Sequence, residues 1–124
     1  MRGNIVRSEE SVVMRYNSVL DLHTHTVASG HAYCSLREMA KAASEKGLEV
    51  LGITEHAPSM PGTCHKFYFN NLKVVPREMY GIQLLLGSEV NILDAQGTLD
   101  LGQHTLSSMD VVIASLHTPC MKPA

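Results

Sequence analysis

No apolar run in this chain approaches the roughly 18 residues that cross a bilayer. Residues 1–13 hold Arg2, Arg7, Glu9 and Glu10 but lack the apolar stretch of an export signal. The formal net charge is −2, which gives no basic footprint for nucleic acid and no polybasic patch for a membrane surface. Cysteine is sparse: Cys34, Cys64 and Cys120 are far apart and odd in number. That excludes a disulfide framework and, without a Cys-x-x-Cys spacing, a thiolate zinc site. A reducing, cytoplasmic setting is expected. There is no internal repeat and no low-complexity tract. Gly-x-Ser-x-Gly, a phosphate loop ending in Gly-Lys-Ser/Thr and His-Glu-x-x-His are all absent. What remains is a globular composition, 44% hydrophobic and 18% charged, on 124 residues, enough for one domain with a core. Seven methionines are scattered, as core filling scatters them. The seven histidines are the unusual feature.

Residues 1–17 read as a flexible arm, polar at first and without sustained period. A short apolar run over 18–23 reads as a strand. Ser35-Leu36-Arg37-Glu38 is a capping box, and Leu36, Met39, Ala40 and Ala43 follow at helical spacing until Gly47 stops the helix. Residues 49–54 read as a buried strand and 57–63, with two prolines and a glycine, as a loop. A second helix is expected over 70–80, in two short pieces because Pro76 costs about 3 kcal/mol in a helix interior. Residues 82–93 form a long apolar strand, 94–97 a hairpin turn with 98–101 returning, and 111–116 a last strand. Helices between strands predict parallel pairing and an α/β fold, in which chemistry sits at the carboxyl ends of the strands.

Each strand ends in a candidate ligand. His23 and His25 lie two apart, so in an extended chain they share a face and can hold one ion together. Neutral imidazole suits Zn, Fe, Ni or Cu. Asp21 could orient a ligand histidine, or simply bond the backbone. His56 and Glu55 end the second strand, and His31 lies in the loop after the first. Glu89 follows Leu84-Leu85-Leu86-Gly87-Ser88. Its two oxygens could bridge two ions about 3.5–4 Å apart, or it could be a solvated strand-end acid. His117 ends the last strand. His65 and Lys66, in a loop beside Phe67, Tyr68 and Phe69, could touch an anionic substrate. His104 reads as a surface residue.

Four motifs in order resemble the PHP (polymerase and histidinol phosphatase) family, over residues 20–119. Asp21-Leu22-His23-Thr24-His25-Thr26 looks like its first motif, and the following Val27 to Tyr33 like its small single-domain phosphatase branch, which holds three zinc-like ions. Ile53-Thr54-Glu55-His56 resembles the second, usually Thr-Asp-His; Gly87-Ser88-Glu89-Val90-Asn91 resembles the third; Ala114-Ser115-Leu116-His117 resembles the next. The resemblance implies the amino-terminal half of a distorted seven-stranded β/α (TIM-like) barrel, with 18–124 a partial PHP domain. It implies that His23, His25 and Glu89 hold one ion, Glu89 and His117 a second, and His31 and His56 a third, with Glu89 and His117 at the catalytic centre. The ions would be Zn, Mn or Fe. The implied reaction is hydrolysis of a phosphorylated small molecule by metal-bound hydroxide, favoured at neutral to alkaline pH.

The family continues beyond this length, supplying a further histidine and an Asp-x-His pair, and such a barrel usually needs at least about 200 residues. The chain is therefore expected to be truncated and its catalysis impaired. A non-catalytic metal-binding remnant and a half-domain completed by a partner are the alternative expectations. The open sheet edge at 111–116 is expected to invite self-association.

Overall fold

A computed structural model describes residues 2–7 and 12–122. The segment read as an arm carries two strands, β1 (Arg2–Arg7) and β2 (Val12–Asn17), paired antiparallel in a sheet of their own. Ile5-Val6 and Val12-Val13 supply the β-branched residues that pleated strands favour. Met1 and residues 8–11 of that segment lie outside the described residues.

The second sheet has five strands: β3 (Leu20–Thr24), β4 (Val50–His56), β5 (Glu78–Met79), β6 (Ile82–Asn91) and β7 (Val111–Ser115). β3, β4, β6 and β7 are parallel, and their order in space is their order in the chain. A doubly wound sheet reverses direction at a switch point, whereas a barrel winds one way. The chain is thus α/β with a parallel half-barrel sheet, the arrangement of the first half of a TIM-like barrel. β5 is a two-residue antiparallel addition to the start of β6, joined through Tyr80 and Gly81 at φ 52° and 77°.

Between β3 and β4 runs α1 (Leu36–Glu45), which starts at the capping box: Ser35 Oγ accepts from Glu38 N–H at 3.2 Å and Glu38 Oε1 from Ser35 N–H at 3.0 Å. Ala40 and Ala43 of α1 are buried against Leu51, Ile53, Leu84, Leu86 and Val90, which alternate along β4 and β6 on one face of the sheet. Phe69, from α2 (Lys66–Asn70), and Leu72 close that core. The second helix therefore starts earlier than 70–80, because His65 caps it by accepting from Phe67 N–H at 3.0 Å. Only a 3₁₀ turn, Leu72–Val74, precedes Pro76, and β5 follows in place of a second helical piece. The expected hairpin return over 98–101 is a single bridge, Ile92 to Leu99. A short helix that the sequence reading did not include, α3 (Gln103–Ser107), precedes the last strand, and His104 on it is exposed.

The other face of the sheet points into the half-barrel and carries the candidate ligands. There β3 bulges: Asp21 to Thr24 spans the same stretch as Leu51 to Ile53. The freed backbone groups are satisfied by Asp21 Oδ1, which accepts from His23 N–H at 3.1 Å, and by the Thr54 hydroxyl, which donates to Leu22 O at 3.2 Å. The bulge also needs Gly52, where a Cβ would stand 2.7 Å from the Leu22 Cα.

Candidate metal centre

Glu89 lies two residues before the end of β6, paired with His56 on β4 and with Ile113 on β7, and its side chain is almost wholly buried. Imidazoles converge on it from three directions. His23 Nε2 is 3.0 Å and His25 Nε2 3.2 Å from Glu89 Oε1. His56 Nδ1 is 3.3 Å from the same oxygen, and His117 Nε2 is 3.4 Å from Oε2. The His25 and His56 rings stack at 4.2 Å and 10°. Two donor triads result, His23–His25–Glu89 and His56–Glu89–His117, each with ligand atoms within 4.8 Å of one another. His31 is exposed beside them, its ring centroid 4.8 Å from that of His56 and 6.3 Å from that of His25.

The donor chemistry fits a divalent cation. His56 Nδ1 and Glu89 Oε1 are buried and make no hydrogen bond. Such atoms rarely go unsatisfied, and a cation between them satisfies both. A set of imidazole nitrogens and one carboxylate, without thiolate, suits borderline ions.

Sequence reasoning singled out the candidate ligands but not what holds them. Glu55, fully buried, ties down the loop after β3. It accepts from Thr26 N–H and Ser29 Oγ, both at 2.8 Å, from the Thr26 hydroxyl, and from Tyr68 OH at 3.4 Å. Ser29 Oγ in turn meets His25 Nδ1 at 3.3 Å and accepts from His56 N–H at 3.0 Å. Glu55 continues the core face of β4 after Leu51 and Ile53. An acid on an apolar alternation is the sequence signal for a buried, multiply bonded carboxylate. Asp21 bonds the backbone of His23. His65 and Lys66 belong to neither triad: His65 Nδ1 is used in capping α2, and both residues are exposed.

Burial lowers the His56 imidazole to about 4, reinforced by His25 and His117 and partly opposed by Glu89. Burial lowers His25 as well, against the pull of Glu89 and Glu55. Burial alone would raise the Glu89 carboxyl, but the combined pull of Ser115, His23 and His56 outweighs it and holds it below the ordinary value. At neutral pH His25 and His56 are thus held neutral beside the one carboxylate, and neither must lose a proton to meet a cation. Unfolding frees His56 to protonate near its ordinary value of 6.5. Its contribution to stability is therefore complete above about pH 6.5 and is lost as pH falls toward 4. The metal-free protein is expected to lose on the order of 2 kcal/mol between pH 7 and 5 from this group. Urea unfolding in the presence of a chelator reads it directly. Equal midpoints at pH 7 and 5 would mean that His56 is not held neutral.

The family model of the PHP domain matches residues 21–123. A protein of Clostridium novyi (strain NT) named a probable phosphatase is 58% identical over 110 residues, which cover 89% of this chain and 44% of the relative. A probable phosphatase of Thermoanaerobacter sp. (strain X514) is 51% identical over 106 residues, 86% of this chain and 43% of its own length. One of Acetivibrio thermocellus is 48% identical over 105 residues, 85% and 44%. The chain spans less than half the length of these curated relatives. No helix among the described residues is long and apolar enough to cross a membrane.

Proposed function

This chain belongs to the PHP domain family, and from that premise we propose that it carries part of a metal-dependent phosphoester hydrolase site acting on a phosphorylated small molecule. The observation that supports this most is the convergence of His23, His25, His56 and His117 on the one buried carboxylate of Glu89, with two facing polar atoms left unbonded. His23, His25 and Glu89 would hold one ion, and His56, Glu89 and His117 another. His31, with its ring centroid 4.8 Å from that of His56, would serve with His56 for a third. A divalent ion there, Zn, Mn or Fe, supplies Lewis acidity toward phosphate oxygens and acidifies a coordinated water. The chain's own part is to hold uncharged nitrogens and one anion in fixed geometry. It needs no nucleophilic side chain. Burial raises the thiol of Cys64, so thiolate attack has no support from that residue.

A second reading, a half-domain that works with a partner, is favoured by the sheet: among the described residues β3 pairs only with β4, and β7 only with β6. Both readings require metal. Protein purified without a histidine tag is expected to contain zinc, manganese or iron. Any hydrolysis of a phosphomonoester should vanish on chelation and return with Zn or Mn. Turnover that persists unchanged after thorough chelation would sink the hydrolase reading.

A further inference from the structure

His117 stands two residues past the end of β7, where no strand ladder fixes its ring. Asn91, the last residue of β6 and fully buried, does so instead: His117 Nδ1 lies 2.6 Å from Asn91 Oδ1. The Asn91 amide has no freedom to turn. Its Nδ2 donates to Asp100 Oδ2 at 2.7 Å and to Ala57 O at 3.4 Å. Both are acceptors, so the NH₂ must face them and Oδ1 must face His117. A carbonyl oxygen only accepts, so Nδ1 of His117 carries the hydrogen. Its Nε2 is then bare, on the side of Glu89 Oε2. The reverse tautomer would set two lone pairs against each other at hydrogen-bond distance.

Asp100 is itself pinned. Its Oδ1 accepts from Asn91 N–H and its Oδ2 from Ser59 N–H, both at 2.9 Å. Ser59 lies in the loop just after His56. One carboxylate on the returning limb of the 94–97 turn thereby ties the ends of β4 and β6 together beneath the second triad.

We propose that Asn91, held by Asp100, is a positioning residue: it fixes His117 as the Nδ1–H tautomer and so makes Nε2 the atom offered to an ion. Neither Asn91 nor Asp100 belongs to a donor triad. Partners of this kind orient a ligand histidine and raise its basicity. The proposal rests on the metal-centre reading only for what Nε2 receives.

The test is the tautomer itself, read from long-range proton–nitrogen spectra of the metal-free chain with ¹⁵N-labelled histidine at about pH 8, where imidazole is neutral. The wild type is expected to show His117 protonated at Nδ1. Asn91→Leu removes the acceptor at similar size, and His117 is expected to move its hydrogen to Nε2, toward Glu89. Zinc affinity should fall on the order of ten- to a hundredfold. Exchanging the two side chains, Asn91→Asp with Asp100→Asn, restores an acceptor for Nδ1 and should restore both tautomer and affinity. A purely structural role for Asn91 would move stability but not the tautomer.

Wild-type His117 protonated at Nε2, or Asn91→Leu still protonated at Nδ1, would overturn the proposal. So would an exchanged pair that folds, by its amide spectrum, yet leaves His117 at Nε2. The wild-type spectrum decides even if a variant fails to fold. If the tautomer behaves as expected while the chain takes up no ion, the positioning role stands and the hydrolase reading falls.

Discussion

Glu89→Gln is expected to empty both ion positions at once and to reduce phosphoester hydrolysis to background. Each triad includes this residue, one through Oε1 and the other through either oxygen. Glutamine keeps the shape, so the fold should hold. It loses the charge, however, and turns one oxygen into an NH₂ that repels a cation. Partners outside the ligand set typically alter metal affinity ten- to a hundredfold. Loss of a ligand shared by two ions should exceed about a hundredfold on that scale. His23→Ala is the contrast: His23 belongs to one triad, with a half-exposed side chain, so the second ion should remain. Metal content by plasma emission, beside a thermal melt, separates the two. Retention of both ions in a folded Glu89→Gln protein would remove Glu89 from the centre.

The second large effect concerns the sheet edges. We propose that the chain by itself associates through them. The outer edges of β3 and β7 have no strand partner among the described residues, and such edges template pairing with another chain. Leu20 (48% exposed) lies on one, Val112 (40%) on the other, and Leu116 (64%) just beyond it. Light scattering is expected to show species above the 13.6 kDa monomer that grow with concentration. Adding, as a separate polypeptide, the part of the Clostridium novyi relative outside the matched region should shift the mixture to a defined complex. Hydrolysis should rise on the order of a hundredfold, the scale set by a misplacement of about 1 Å in a reacting group. A stable monomer whose turnover ignores the added polypeptide would contradict both parts.

The sheet was legible wherever one physical signal governed a stretch. β4, β6 and β7 fall within two residues of their expected bounds, because each reads as a continuous apolar run, as strands of a parallel sheet do. α1 was legible because its capping box and its apolar stripe agree. The histidines and Glu89 that the structure brings together were legible from polar residues ending apolar strands. α2 was not: its start depends on His65 acting as a cap, a role in which Ser, Thr, Asp and Asn are preferred. The antiparallel pairing of β1 and β2 was missed because these short stretches show no clean alternation in sequence. The bulge in β3 was invisible because its cause, the approach of Leu22 to Gly52, lies 30 residues away in sequence. The network through Asp100, Asn91 and His117 was missed for the same reason. Its members are distant in the chain, and an asparagine two places after a ligand has no signature of its own.

Because β3, β4, β6 and β7 adjoin in the order in which they are written, the centre is assembled in the order in which it is translated. Each strand leaving the ribosome finds its neighbour already made, although pairings such as Leu20 to Val50 and Val50 to Gln83 span long stretches of sequence and so dock slowly. His23 and His25 emerge first, then His56, and both wait for Glu89, which completes the first triad. His117 arrives last, after the Asn91 and Asp100 that receive it. An ion held as proposed by His23, His25 and Glu89 would join β3 to β6 without any residue of β7. A shortage of metal would then be felt by the nascent chain, as slower docking of its third parallel strand, before it is felt by any substrate.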